Sequence, residues 1–230
     1  MPRLLRGSLR DATLLQVLAR VPDPRDRRGV RHPLVGLLAA SMCAVLAGAR
    51  SFAAIADWVG ELAMDDRVRL GLTRQSVPEE STFRRVLSSL DAAVLDALVG
   101  AFMWTRTSVV AGRRVIAVDG KTTRGARTAA EPAPHLVAAM DHTTAVVLGQ
   151  LAVTAKSNEI PAVRTLLATF DLSGVVVTVD AMHTQADTAT AIVVAGGDYV
   201  FTVKANRCAT RRSVTSPPQV GRTRREVCWV

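Results

Sequence analysis

Cysteine is scarce in this chain of 230 residues: the three present, Cys43, Cys208 and Cys228, are odd in number, widely spaced and free of any C-x-x-C pattern. That excludes a disulfide framework and a zinc knuckle and points to a reducing compartment. A membrane-length apolar run is missing too. The uncharged segment at residues 33–49 (PLVGLLAASMCAVLAGA) falls short of the ~20 residues a span needs and is rich in Ala and Gly, so it reads as a buried core helix. The start, MPRLLRGSLRDATLL, has basic residues but neither a continuous apolar stretch nor a small-residue cleavage site before Asp11, so no signal peptide is expected.

What the chain does have is positive charge and apolar bulk. Lys plus Arg number 29 against 20 Asp plus Glu, a net charge of +9 with a pI near 10.8, and 49% of residues are hydrophobic. The core is sufficient for one sizeable domain or two small ones. The charge favours a polyanionic partner such as nucleic acid, with a merely basic soluble protein as the alternative.

The pattern changes midway. From Asp11 to about Thr107 it is helical: Phe52, Ile55, Val59 and Leu62 follow a Ser51 cap, and Phe83, Val86, Leu87 and Leu90 follow Ser81. Val94, Leu95, Leu98 and Phe102 follow Asp91. These stripes read as packing. The segment VPDPRDRRGVRHP before the apolar helix is a loop whose Arg25, Arg27, Arg28 and Arg31 could meet phosphates, although Asp23 and Asp26 suit a solvated linker equally. From Arg113 to Lys204 β-branched runs alternate with helical segments: strands 114–118, 135–140 and 145–153, helix 159–169, strand 174–179, helix 184–195 and strand 198–203. The turn DHTT at 141–144 makes the second and third strands a hairpin. The expected fold is α/β, a mixed sheet with flanking helices, preceded by an all-helical domain.

Two aspartates stand where strands end. Asp119 follows RVIAV and Asp180 follows VVVTV, so both carboxylates emerge at the carboxyl edge of one sheet, and they meet if the first and fourth strands are neighbours. Carboxylates so arranged suit divalent metal and phosphoryl chemistry, because hard cations take oxygen ligands. Each alone has a plain structural reading: an Asp-Gly turn for Asp119, a helix cap for Asp180 with Thr184 competing. The pair raises the metal reading above either. Gly120-Lys121-Thr122 resembles the end of a phosphate-binding loop, but that loop needs glycine where Val115 stands. Lys121, Arg124, Lys156, His183 and Lys204 are candidate phosphate contacts. Glu159 is favoured as a helix-start residue that complements the helix dipole, with Ser157 or Asn158 as cap; the alternative is an accessory carboxylate turned toward the aspartates.

These blocks resemble a family, the DDE-type insertion-sequence transposases, in the group that includes the H-repeat-associated proteins of Rhs elements. The resemblance runs through RGVRHPL at 28–34, the segment 47–58, PEESTFRRVL at 78–87, AVDGK at 117–121, KSNEI at 156–160, DAMHTQ at 180–185 and DYVFTVKAN at 198–206. It implies an RNase H-like core, a helical associated domain, and Mg²⁺- or Mn²⁺-dependent cutting and joining of transposon-end DNA in a bacterial cytoplasm at the nucleoid. It makes Asp119 and Asp180 the first two members of a catalytic triad and metal ligands in a two-metal site. Besides DNA, the expected partners are a second copy of the chain or a full-length transposase, the latter motivated by the basic loop and tail. The third member should be a glutamate on a helix after the last strand. After Arg207 the chain instead reads CATRRSVTSPPQVGRTRREVCWV, whose one acidic residue, Glu226, lacks the family's signature around it.

The expected organisation is therefore a helical domain at 1–108, a partial catalytic core at 109–207 and an irregular basic tail at 208–230, foreign to the family through truncation or a frameshift. Three functions compete: a transposase left inactive by the missing carboxylate, a non-catalytic remnant that binds transposon ends, and an unrelated metal-dependent phosphohydrolase.

Overall fold

The computed structural model describes residues 9, 11–107, 109, 112–126, 133–153, 159–180, 183–203 and 226–229. It divides into two compact units, Arg6–Phe102 and one that includes Met103–Val230.

The first unit is helical: α1 (Leu14–Leu18), α2 (Leu34–Leu46), α3 (Phe52–Glu61), α4 (Met64–Arg69), α5 (Glu80–Ser89) and most of α6 (Ala92–Arg106). Local chemistry sets several starts. The Thr13 hydroxyl accepts from the Gln16 backbone while the Gln16 side chain accepts from the Thr13 backbone, a capping box at α1. Ser51 accepts from Ala54 N–H at 3.1 Å, and Asp91 accepts from Ala93 and Val94 N–H at 3.0 and 3.2 Å, so both caps stand where the sequence put them. Ser81 does not cap: α5 begins at Glu80 behind Glu79, leaving Ser81 inside the helix. The apolar segment forms the buried α2, and its small residues have a reason: a Cβ on Gly36 would lie 2.7 Å from the Gly71 carbonyl oxygen. Among the described residues no single helix is long and apolar enough to cross a membrane.

The loop before α2 is held by its own side chains. Arg25 makes two bonds to the Asp23 carboxylate, at 2.8 and 2.7 Å, and donates to the His32 carbonyl. It is therefore committed to the loop, while Arg27, Arg28 and Arg31 are exposed.

The second unit is built on a sheet of β1 (Arg114–Thr122), β2 (His135–Asp141), β3 (Val147–Val153), β4 (Val175–Val179), β5 (Asp198–Val203) and β6 (Glu226–Trp229), in the order β3-β2-β1-β4-β5-β6. β2 is antiparallel to β1 and β3, whereas β1, β4, β5 and β6 run parallel. Helix α7 (Glu159–Leu167) packs on β2 and β3, and α8 (Ala186–Val194) packs on β5. The first five strands and their helices are the RNase H-like arrangement that the resemblance implies. Ile116, Val118, Val137, Val177, Val163 and Ile192 fill the core between sheet and helices. The last turn of α6 joins it: Trp104 stacks on Phe170 at 5.3 Å, and the Arg114 guanidinium sits 4.0 Å above Trp104.

Three details differ from the sequence expectation. β1 runs on to Thr122 because β2 pairs with it through that residue. α8 starts at Ala186 behind Gln185, so neither Asp180 nor Thr184 caps it. The tail expected to be irregular contributes β6 beside β5, and residues 204–225 of that region lie outside the described residues.

Candidate functional site

The site follows from where two neighbours part. β1 and β4 lie side by side and parallel, with Val118 opposite Val179, and the next residues are Asp119 and Asp180. β4 ends there, while β1 continues beside β2 alone, Asp119 opposite Ala138 and Lys121 opposite Leu136. Both aspartates reach solvent: Asp119 is exposed, and the Asp180 side chain is 57% exposed. The turn after β4 is clamped. The Asp180 carbonyl and Oδ1 each accept from the His183 backbone N–H at 3.2 Å. The buried Thr184 hydroxyl lies 3.1 Å from the Asp180 carbonyl and 2.9 Å from the Thr202 carbonyl of β5, so its one proton is shared between two strands' ends.

Behind β1 lies a buried cluster of polar side chains. Glu159, the first residue of α7, is 1% exposed. Its Oε1 is 2.5 Å from His135 Nε2, and its Oε2 is 3.3 Å from His183 Nε2. His183 Nε2 lies 4.0 Å from Asp180 Oδ1. Thr122 Oγ1 is 2.9 Å from His135 Nδ1; a hydroxyl donating there leaves the ring proton on Nε2, facing the carboxylate. His135 Nε2, both His183 ring nitrogens and both Glu159 oxygens are buried without aligned hydrogen bonds, so proximity of opposite polarity holds them. Gly120 makes room, since a Cβ there would stand 2.7 Å from Glu159 Oε2 and 3.1 Å from His135 Nε2. Successive side chains of a strand alternate faces, so Glu159 sits behind Gly120 on the face opposite Asp119 and Lys121.

The remaining candidates separate. Lys121 is exposed on β1, two residues beyond Asp119. Arg124 begins a short 3-10 turn, Arg124–Ala126. Lys156 and Lys204 lie outside the described residues. His183 is corrected: at 1% exposure it meets Glu159 instead of solvent and is not open to a phosphate. Glu159 does open α7, as the helix-start reading has it, but its carboxylate is buried against the two histidines. His135 was not singled out by sequence reasoning, because its only signal was a histidine opening a strand; the Gly120 approach and the Thr122 bond carried none that pointed to Glu159.

Asp119 and Asp180 could together hold a divalent cation. Among the described residues no three or more His, Cys, Asp or Glu side chains are grouped to hold one. Two carboxylates still fit Mg²⁺, which keeps much of its water and is held by one or two carboxylates plus phosphate oxygens.

Comparison with known proteins agrees with this architecture. The family model described as "Transposase DDE domain" matches residues 110–227, and "DDE_Tnp_1-associated" matches residues 15–103. The former extends past the composition break after Arg207. "Putative transposase YncI" of Escherichia coli O157:H7 is 34% identical over 85% of this chain, which spans 50% of that protein. The protein of the same name from strain K12 is 34% identical over 85% of this chain and 79% of its own length. "H repeat-associated putative transposase YbfD" of strain K12 is 32% identical over 84% and 77%. The strand order, the helical companion unit and these matches lead to one conclusion: the chain belongs to the DDE transposase family.

Proposed function

We propose that this chain derives from a DNA-cutting and -joining transposase whose divalent-cation site includes Asp119 and Asp180. The observation that carries the reading is the parallel register of β1 and β4, Val118 opposite Val179, with an exposed carboxylate next in each strand. Mg²⁺ or Mn²⁺ bound there would supply Lewis-acid stabilisation of charge developing on a phosphodiester. The chain's own part is to fix two oxygen ligands on a rigid sheet edge. Lys121, exposed on the same face of β1 as Asp119, adds a positive charge that can meet the DNA backbone.

Within these 230 residues the third carboxylate of the family pattern has no candidate helix among the described residues, since Glu226 opens strand β6. We therefore propose that the chain alone has little strand-transfer activity. A Mn²⁺ titration tests the site: binding should be lost in Asp119→Asn and Asp180→Asn, and affinity that survives both substitutions removes it. Metal-dependent cleavage of the DNA ends flanking its own gene by the purified chain would contradict the proposed inactivity.

A second reading, DNA binding without catalysis, is favoured by the exposed Arg27, Arg28 and Arg31 of the helical unit. On that reading the chain occupies transposon ends or pairs with an intact relative.

A further inference from the structure

We propose that Glu159 is a positioning residue: its buried carboxylate, set between His135 and His183 behind Gly120, holds the Asp180 turn in fixed relation to the strand that carries Asp119. The inference rests on the reading of those two aspartates as cation ligands.

Four pieces of chain converge on this one side chain. Glu159 opens α7, His135 opens β2, Gly120 lies on β1 and His183 follows β4. A residue that merely complemented a helix dipole would leave its carboxylate in water, where it costs nothing to keep charged. At 1% exposure Glu159 has surrendered that solvation, and a buried carboxylate is tolerated only where polar donors meet it. The polar groups that meet it are the two imidazoles, His135 Nε2 at 2.5 Å and His183 Nε2 at 3.3 Å, close and of opposite polarity though not aligned as hydrogen bonds. Direct ligation of a cation beside Asp119 is not open to it, because it stands behind β1 on the opposite face.

The linkage to Asp180 is short. His183 Nε2 is 3.3 Å from Glu159 Oε2, and the His183 backbone N–H donates to Asp180 Oδ1 at 3.2 Å. Displacing the Glu159 carboxylate therefore displaces His183 and, through the turn, Asp180. On the other side Gly120 is the residue next to Asp119, so Glu159 meets both segments, Gly120 beside Asp119 and His183 three residues after Asp180.

The experiment is a Mn²⁺ titration of the 230-residue chain, followed by electron paramagnetic resonance of the free ion, with thermal unfolding recorded for each variant. Glu159→Gln should weaken Mn²⁺ binding by about tenfold or more in protein that remains folded, the scale seen when outer groups orienting metal ligands are removed. That substitution also deletes a charge, so a pair at His135 separates position from charge. His135→Leu removes the polar partner of the carboxylate and should weaken binding, whereas His135→Gln keeps an N–H near the Nε2 position and should retain it. Equal Mn²⁺ affinities in the two His135 variants overturn the proposal. So does unchanged affinity in Glu159→Gln, whatever happens to its melting temperature. If Glu159→Gln fails to fold, the His135 pair decides. Binding that is lost in Asp180→Asn but kept in Glu159→Gln and His135→Leu overturns only this inference. No binding by the unsubstituted chain removes the reading of the two aspartates and this inference with it.

Discussion

His32 is the side chain in the helical unit whose environment conflicts most with its charged form. It is buried at 5% exposure, its Nδ1 is sealed off without a hydrogen-bond partner, and Arg74, Arg25 and Arg31 surround it with positive charge. Burial first, and then those guanidinium groups, hold its pKa below the ordinary 6.5. The unfolded chain therefore takes up the proton before the folded chain does. Stability is complete above the ordinary imidazole range and declines as pH falls through it, by no more than about 1.4 kcal/mol per pH unit for one proton. The urea midpoint should drop between pH 7 and pH 5.5 in the unsubstituted chain and drop less in His32→Gln. An identical drop in both would assign the effect to another group. At this scale the sequence was partly readable. Ser51 and Asp91 announced themselves as caps because a cap needs only its next few residues. The meeting of His135 with Glu159 did not, because it depends on β1, β2 and α7 being folded together.

Single elements show the same division between local and distant causes. The β2–β3 hairpin is a local structure: Asp141 Oδ1 accepts from Thr143 N–H, Thr144 N–H and the Thr144 hydroxyl, and the chain reverses with Ala145 at φ 56°. The turn was legible as DHTT for that reason. Asp141 is 1% exposed, so Asp141→Ala leaves these donors without their acceptor and should cost about 1–3 kcal/mol in a urea unfolding experiment. A loss within ~0.5 kcal/mol, the usual range for surface changes, would show that the turn does not depend on it. β1, by contrast, was read short. Asp119, Gly120 and Lys121 are poor strand formers, and only pairing with β2 keeps them extended, so tertiary context overrides propensity. Thr184 was misread as a cap for the converse reason: its hydroxyl is drawn to the Thr202 carbonyl of β5, a partner the local sequence does not reveal.

For the molecule as a whole, the change from helical to β-branched pattern disclosed that helices precede an α/β part, and the order of runs disclosed a mixed sheet. The adjacency of β1 and β4 was only a condition in the sequence; backbone pairing supplies it. The net charge of +9 belongs to this scale, since it acts through its sum. Duplex DNA carrying the ends that flank the gene should bind with a dissociation constant that rises about tenfold or more between 50 and 200 mM salt, as counterion release demands when several phosphates are neutralised. Fluorescence anisotropy across that range measures it, and a flat response would leave the charge without a role in DNA binding.

The overhang of β1 beyond β4 has one more consequence. Where a strand outruns its neighbour, its backbone offers open pairing positions, and such an edge invites an extended segment from another molecule to lie down beside it. Here the invitation is withdrawn by charge: Asp119 and Lys121 project from the overhanging strand and Asp180 stands at the end of the shorter one. An incoming peptide strand would have to set its own side chains beside these charges. The charges that make this sheet end a candidate cation site thus also guard it against strand-to-strand association.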